Sequence, residues 1–261
     1  MSSAIIEEEI EIRTADGVAG GFLYRADDRL RRPGVIHLTD IGGIRPAQRE
    51  MARRLAGQGY TVLMPNVFYR TGQPPLFAFK LDMAEERTRK RLAELTGPLT
   101  PDTVERDAST HVDFLAASDF ASEGGMGVVG YCFSGAVAMR TAAARPDRIV
   151  AAASFHGGRL FTDAPSSPHL LLPRIKARLY FGHAIKDGSM PEEAIRSFEA
   201  ALAAWGGQYE SETYEGAYHG WTTLDSPAYN EAQAERAFGK QTKLLGETLR
   251  PAAVTCDDAA E

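Results

Sequence analysis

Two cysteines in 261 residues, at positions 132 and 256, are too few and too far apart for a disulfide framework or a cluster of thiolate metal ligands. No apolar run reaches about 18 residues, so no bilayer-crossing helix is expected. Basic runs are missing as well. The chain has 29 Lys and Arg against 35 Asp and Glu, a formal charge of −6, and so no electrostatic footprint for DNA or RNA. The amino end, Met1-Ser-Ser-Ala-Ile-Ile-Glu-Glu-Glu, carries acids where a signal peptide carries positive charge. These absences point to a cytoplasmic protein whose partner is a small molecule, in a reducing compartment where a free thiol persists. What is there is a globular composition, 44% hydrophobic, long enough to bury a large core.

Residues 5–14 and 19–24 read as strands joined by Ala15-Asp16-Gly17, an Asp-Gly turn signal, and predict an antiparallel hairpin. Residues 34–39 then read as a short buried strand, 46–58 as a helix stopped near Gly57 and Gly59, and 60–64 as another strand, the βαβ unit of a parallel sheet. Phe77, Leu81, Ala84, Thr88, Leu92 and Leu95 recur at three- and four-residue steps and predict one amphipathic helix over 77–95, ended by Gly97-Pro98. Thr100 as N-cap and Pro101 at the first helical position open the next, with Val104, Ala108, His111, Val112 and Leu115 on its face. His111 reads there as a core or boundary histidine.

Further strands are expected over 125–131, 148–155, 177–182 and 209–214, and helices over 133–144, 191–205 and 228–245. This alternation predicts the α/β class, with a mostly parallel central sheet and helices on both faces. It predicts a single domain over 1–249 and a small acidic tail over 250–261, in which Cys256 is incidental. A monomer or small homo-oligomer is expected.

The informative segment is Val128-Val129-Gly130-Tyr131-Cys132-Phe133-Ser134-Gly135. It places a thiol between a buried strand and a small-residue helix, with glycines two before and three after. A sharp strand-to-helix turn needs small neighbours and lifts its central side chain above the sheet. The helix starting there aims free N–H groups at the site, favouring a thiolate and an oxyanion alike. A buried structural cysteine is the alternative reading of Cys132. A nucleophilic thiol needs a histidine and a carboxylate to orient it. Asp187 follows the strand ending near Gly182, and His219 follows the last strand, in the order nucleophile, acid, histidine.

Gly-Tyr-Cys-Phe-Ser-Gly, Asp187 with Pro191 four residues on, and the loop Gly216-Ala-Tyr-His-Gly-Trp221 resemble the dienelactone hydrolases of the α/β-hydrolase superfamily. The resemblance runs from about Gly34 to Leu245 and implies an α/β-hydrolase fold that hydrolyses lactones or small carboxylic esters without metal or cofactor. It implies that Cys132 attacks the carbonyl, His219 shuttles the proton, Asp187 holds the imidazole, and water releases the acyl group from a thioester. The backbone amides of Ile41 and Phe133 would hold the oxyanion.

A loop glutamate of the family, which helps to deprotonate the thiol, is matched by Asp40, one methylene shorter. Asp40 is expected either to serve that function or to bond its own Gly-rich turn. Two family arginines read a substrate carboxylate. Arg70 matches the first, whereas Thr223 stands where the second is expected and cannot pair as an arginine does. Tyr131 and Trp221, with Phe68 and Tyr69, are expected to line the pocket or to be core aromatics. Ser134 lies one turn too deep to be the nucleophile, and Phe155-His156-Gly157-Gly158 reads as a strand end near the site. A general carboxylesterase, and a non-catalytic binding protein on the same scaffold, stay open as further readings.

Overall fold

The structure, a computed structural model, describes residues 4–249; the expected tail over 250–261, with Cys256, lies outside the described residues. Eight strands form one sheet in the order β1-β2-β4-β3-β5-β6-β7-β8. The first two, β1 (Ile5–Thr14) and β2 (Gly17–Ala26), form the expected antiparallel hairpin with Thr14 opposite Gly17. Gly17 has φ 142°, which a side chain rarely tolerates. Strand β2 pairs antiparallel with β4 (Thr61–Pro65). From there β3 (Gly34–Leu38), β5 (Met126–Tyr131), β6 (Ile149–Phe155), β7 (Arg178–His183) and β8 (Tyr209–Thr213) continue the sheet in parallel.

The central strands are buried on both faces, and their alternate residues feed two apolar layers. Ile36, Leu38, Val128, Leu179 and Phe181 point into one, Val35, Val129 and Tyr180 into the other. The first layer is covered by α3 (Pro101–Ala116), α4 (Ser134–Ala144) and α5 (Glu192–Trp205). The second is covered by α1 (Pro46–Ala56) and α6 (Glu231–Leu249). Helices therefore flank both faces of a mostly parallel sheet, which is the α/β-hydrolase arrangement.

The helix expected over 77–95 forms only from Glu86 to Thr96, as α2. Upstream, the Asp82 carboxylate accepts from the Ala84 amide at 2.9 Å, and this local bond competes with the helical ladder. Helix α6 starts three residues later than expected and runs four further, because Asn230 supplies the cap, accepting from the Gln233 amide at 3.2 Å. A 3₁₀ turn at Pro168–Arg174 had no periodic signal. Among the described residues, no helix is long and apolar enough to cross a membrane.

The parallel strands all end on one edge, where Cys132 follows β5, His156 follows β6, Asp187 follows β7 and His219 follows β8. Crevices at the carboxyl ends of parallel strands are where this class of sheet binds ligands.

Candidate active site

Cys132 occupies the left-handed region, with φ 60°, in the two-residue turn between β5 and α4. The turn is so tight that a Cβ on Gly130 would lie 2.1 Å from the Ser134 carbonyl oxygen, and one on Gly135 2.2 Å from Ser154 Oγ. Both small residues are therefore required by contact. Ser134 is wholly buried; its hydroxyl accepts from the Tyr131 amide at 2.8 Å and donates to the Leu38 carbonyl at 3.0 Å, pinning the turn to β3. As expected, it is no rival nucleophile.

His219 stands between an acid and the thiol. Its Nδ1 lies 2.6 Å from Asp187 Oδ2, and it lines the same cleft as the Cys132 thiol. Burial opposes a charge on His219, but Asp187 and Cys132 outweigh it and push the pKa up to about 10. Asp187 is fixed in turn, because its Oδ1 accepts from the Ser189 amide at 2.8 Å and the Ser189 hydroxyl at 2.7 Å. Burial works against the Asp187 carboxylate, yet the bonds from His219 and Ser189 hold its pKa below the usual carboxylate range.

Behind this group sits His156, fully buried, with φ 40°. Its Nδ1 accepts from the Cys132 amide at 3.1 Å and its Nε2 bonds Thr222 Oγ1 at 2.9 Å. Burial, and then the neighbouring His219 charge, hold its pKa well below that of a free histidine. It is thus a neutral ring packed against His219, 5.0 Å away between centroids.

Cys132 and His219 open onto a cleft of about 520 Å³, walled by Ile41, Phe133, Ala136, Met83 and Leu92 and flanked by Arg159. Its size suits a small-molecule ligand. Ile41 and Phe133 line the cleft beside the thiol, and among the described residues neither backbone amide donates to a protein acceptor. Two free donors near a nucleophile are what a developing oxyanion needs.

Other expected site residues are turned elsewhere. The Asp40 carboxylate is gripped by Arg45 at 2.5 and 2.8 Å, by Gln48 at 3.1 Å and by the Gly42 amide at 2.9 Å, and it does not line the cleft. Its short side chain is committed to the loop and to Arg45, so it is not placed as a partner of the thiol. Arg70 is likewise spent, bridging Asp16 at 2.6 Å and Asp107 at 2.7 Å with its side chain only 12% exposed. It faces the hairpin and α3, away from the cleft. Thr223 is wholly buried against Asp40.

Tyr131 bonds Gln241 at 2.8 Å beneath the sheet edge. Trp221 is buried, stacked on Tyr214 and edge-on to His156. Tyr69 bonds Asp107, and Phe68 packs on the Phe133 ring. These four are core aromatics, and the expectation that they line the pocket is corrected accordingly. Sequence reasoning missed His156 as a support of the turn, and Met83 and Arg159 as cleft residues. For His156 the glycines that follow it were the only hint, since two small residues after a strand allow close backbone approach.

The dienelactone hydrolase family model matches residues 19–249. A carboxymethylenebutenolidase from Rhodococcus opacus is 28% identical over 199 residues, 76% of this chain and 73% of that protein. Among solved structures, one from Klebsiella pneumoniae assigned to the dienelactone hydrolases superposes with a TM-score of 0.83 at 22% identity, covering 94% of this chain and 100% of the other. An acylaminoacyl peptidase from Pyrococcus horikoshii shares the fold at a TM-score of 0.70 and 14% identity, over 96% of this chain and 43% of its own. With a thiol on a strand-to-helix turn, a histidine beside it and a match over nearly the whole chain, this protein belongs to the dienelactone hydrolase family and is a hydrolase of that type.

Proposed function

We propose that the protein hydrolyses lactones or small carboxylic esters through a thioester on Cys132. The observation that carries this is the position of His219, held by Asp187 at 2.6 Å and lining the same cleft as Cys132, whose thiol helps to raise the His219 pKa. The thiolate sulfur attacks the carbonyl carbon, and the oxyanion that forms is held by the amides of Ile41 and Phe133. The proton carried by His219 passes to the leaving alkoxide as the carbon–oxygen bond breaks, leaving an acyl thioester. The now neutral imidazole takes a proton from water, the hydroxide adds to the thioester, and the sulfur leaves as thiolate beside the restored imidazolium. Asp187 stays ionised throughout and fixes the ring.

The test is acyl trapping. Mixing the enzyme with an activated aryl ester at low pH and short times should add the acyl mass to the peptide holding Cys132, and Cys132→Ala should abolish both adduct and turnover. Turnover surviving in Cys132→Ala overturns the reading. A second reading, a general carboxylesterase, is favoured by Arg70 and Thr223, neither of which lines the cleft. Comparing a carboxylate-bearing lactone with a neutral aryl ester separates the two.

A further inference from the structure

The described residues that take a positive φ without being glycine are Cys132 (60°), His156 (40°), Arg159 (56°) and Lys186 (49°). Three are accounted for. Cys132 is the apex, His156 supports it, and Lys186 precedes Asp187. Arg159 is the fourth, in a conformation where an L side chain is strained and glycine would not be. Strain of this kind persists where the surroundings over-determine it, and it concentrates at functional sites. Here the surroundings are the site itself. The Arg159 amide donates to the Ser189 carbonyl at 2.8 Å, and the preceding Gly158 amide donates to the Cys132 carbonyl at 3.2 Å.

Arg159 is also the free charge of the cleft. Arg140 lines the same space, but its guanidinium is held by the Ser166 carbonyl and reaches Glu105 at 3.4 Å. Asp187 is paired with His219. Arg159 is exposed, and among the described residues it has no acid partner, hydrogen bond or aromatic contact through its side chain. The same cleft also has apolar lining, from Ile41, Phe133, Met83 and Leu92.

We propose that Arg159 is a specificity-determining residue, which takes the anionic end of an ester whose apolar body lies along the Ile41, Phe133, Met83 and Leu92 wall. The inference rests on the hydrolase reading for the reaction, and adds to it a substrate class: esters with an apolar segment between the scissile carbonyl and a distal carboxylate. A guanidinium binds a carboxylate through paired, charge-assisted hydrogen bonds. Neither Arg70 nor Asp40 takes part.

Two probe pairs test it in wild type, Arg159→Gln and Arg159→Lys. The first pair is p-nitrophenyl hydrogen adipate and its methyl ester, compared by kcat/KM. The second is N-bromoacetyl-β-alanine and its methyl ester, compared by the rate of alkylation of Cys132, which needs no hydrolysis. Arg159→Gln should lower the acid-to-ester ratio by about 10- to 100-fold for both pairs, and Arg159→Lys should retain part of it. Arg196→Gln, on the exposed face of α5, removes the same net charge outside the cleft; it should leave the ratios alone. Ratios that stay put in Arg159→Gln, or move as far in Arg196→Gln, overturn the proposal. If wild type hydrolyses neither ester while the alkylation ratio still falls in Arg159→Gln, the hydrolase reading fails and the anion subsite stands.

Discussion

The backbone amide of Cys132 donates to Nδ1 of His156 at 3.1 Å. An amide can only donate, so Nδ1 carries the lone pair and Nε2 carries the proton given to Thr222 Oγ1 at 2.9 Å. The Cys132 backbone thus leans on one tautomer of a neutral histidine. His156→Phe keeps the ring volume but removes the acceptor, leaving the Cys132 amide only the Phe155 carbonyl at 3.1 Å. A loss of about 1–3 kcal/mol in urea unfolding is expected, with Cys132 alkylation slowed as the apex loosens. His156→Asn, which tolerates the left-handed region and keeps an acceptor, should lose less. Equal stability of all three proteins would show that the bond contributes nothing.

The Asp187 carboxylate lies 2.6 Å from His219 Nδ1 and, in the proposed function, sets the tautomer and aim of that ring. Asp187→Asn keeps the shape but offers Nδ1 a donor or a neutral acceptor, so kcat/KM should fall on the order of 10²–10⁴-fold. The fold should persist, since the Ser189 bonds need only an oxygen. Steady-state kinetics with a neutral aryl ester checks this, and a loss under about 3-fold would remove Asp187 from the proposed role.

The His219 pKa, raised to about 10, gives stability a pH dependence of definite sign. A raised folded-state value means that the stabilisation is complete below the ordinary histidine value of about 6.5 and is lost as pH climbs toward 10. Asp187 acts in the opposite direction. Its lowered value stabilises above the ordinary carboxylate range and is lost as pH falls through the folded value. Urea unfolding of wild type and His219→Gln from pH 6 to 10 should show the difference between them shrinking with rising pH. A difference that stays constant across that range contradicts the ion-pair arrangement.

The central strands were legible because each is a short buried run of alternating faces, such as Val128 and Val129, and the elbow because only small residues fit at Gly130 and Gly135. Cys132, Asp187 and His219 were legible because loop positions after parallel strands converge on one edge whatever the details between. Long polar side chains were not. Where Arg70 points is decided by Asp16 and Asp107, far away in sequence and near only after folding. Asp40 bonds its own Gly-rich turn through the Gly42 amide, one of its two expected roles, while the grip of Arg45 five residues on carried no sequence signal. Residues 77–85 carry a helical period, but Asp82 ends it by bonding the backbone.

Arg70 offers the sharpest separation of structure from chemistry. Its guanidinium ties the hairpin turn at Asp16 to Asp107 on α3, and Tyr69 donates to the same Asp107 at 3.1 Å. Asp107 is 5% exposed, so Arg70→Met leaves a buried carboxylate without its cation. Breaking one side of such a pair costs about 3 kcal/mol. The double variant Arg70→Met, Asp107→Leu removes both charges and should recover most of that loss, because well-packed apolar groups replace buried pairs at little cost. Hydrolysis of a carboxylate-bearing lactone by folded Arg70→Met should keep its KM within about 3-fold, since lost substrate pairing would cost more than that. A large rise in KM with unchanged unfolding would return Arg70 to substrate recognition and displace Arg159 from it.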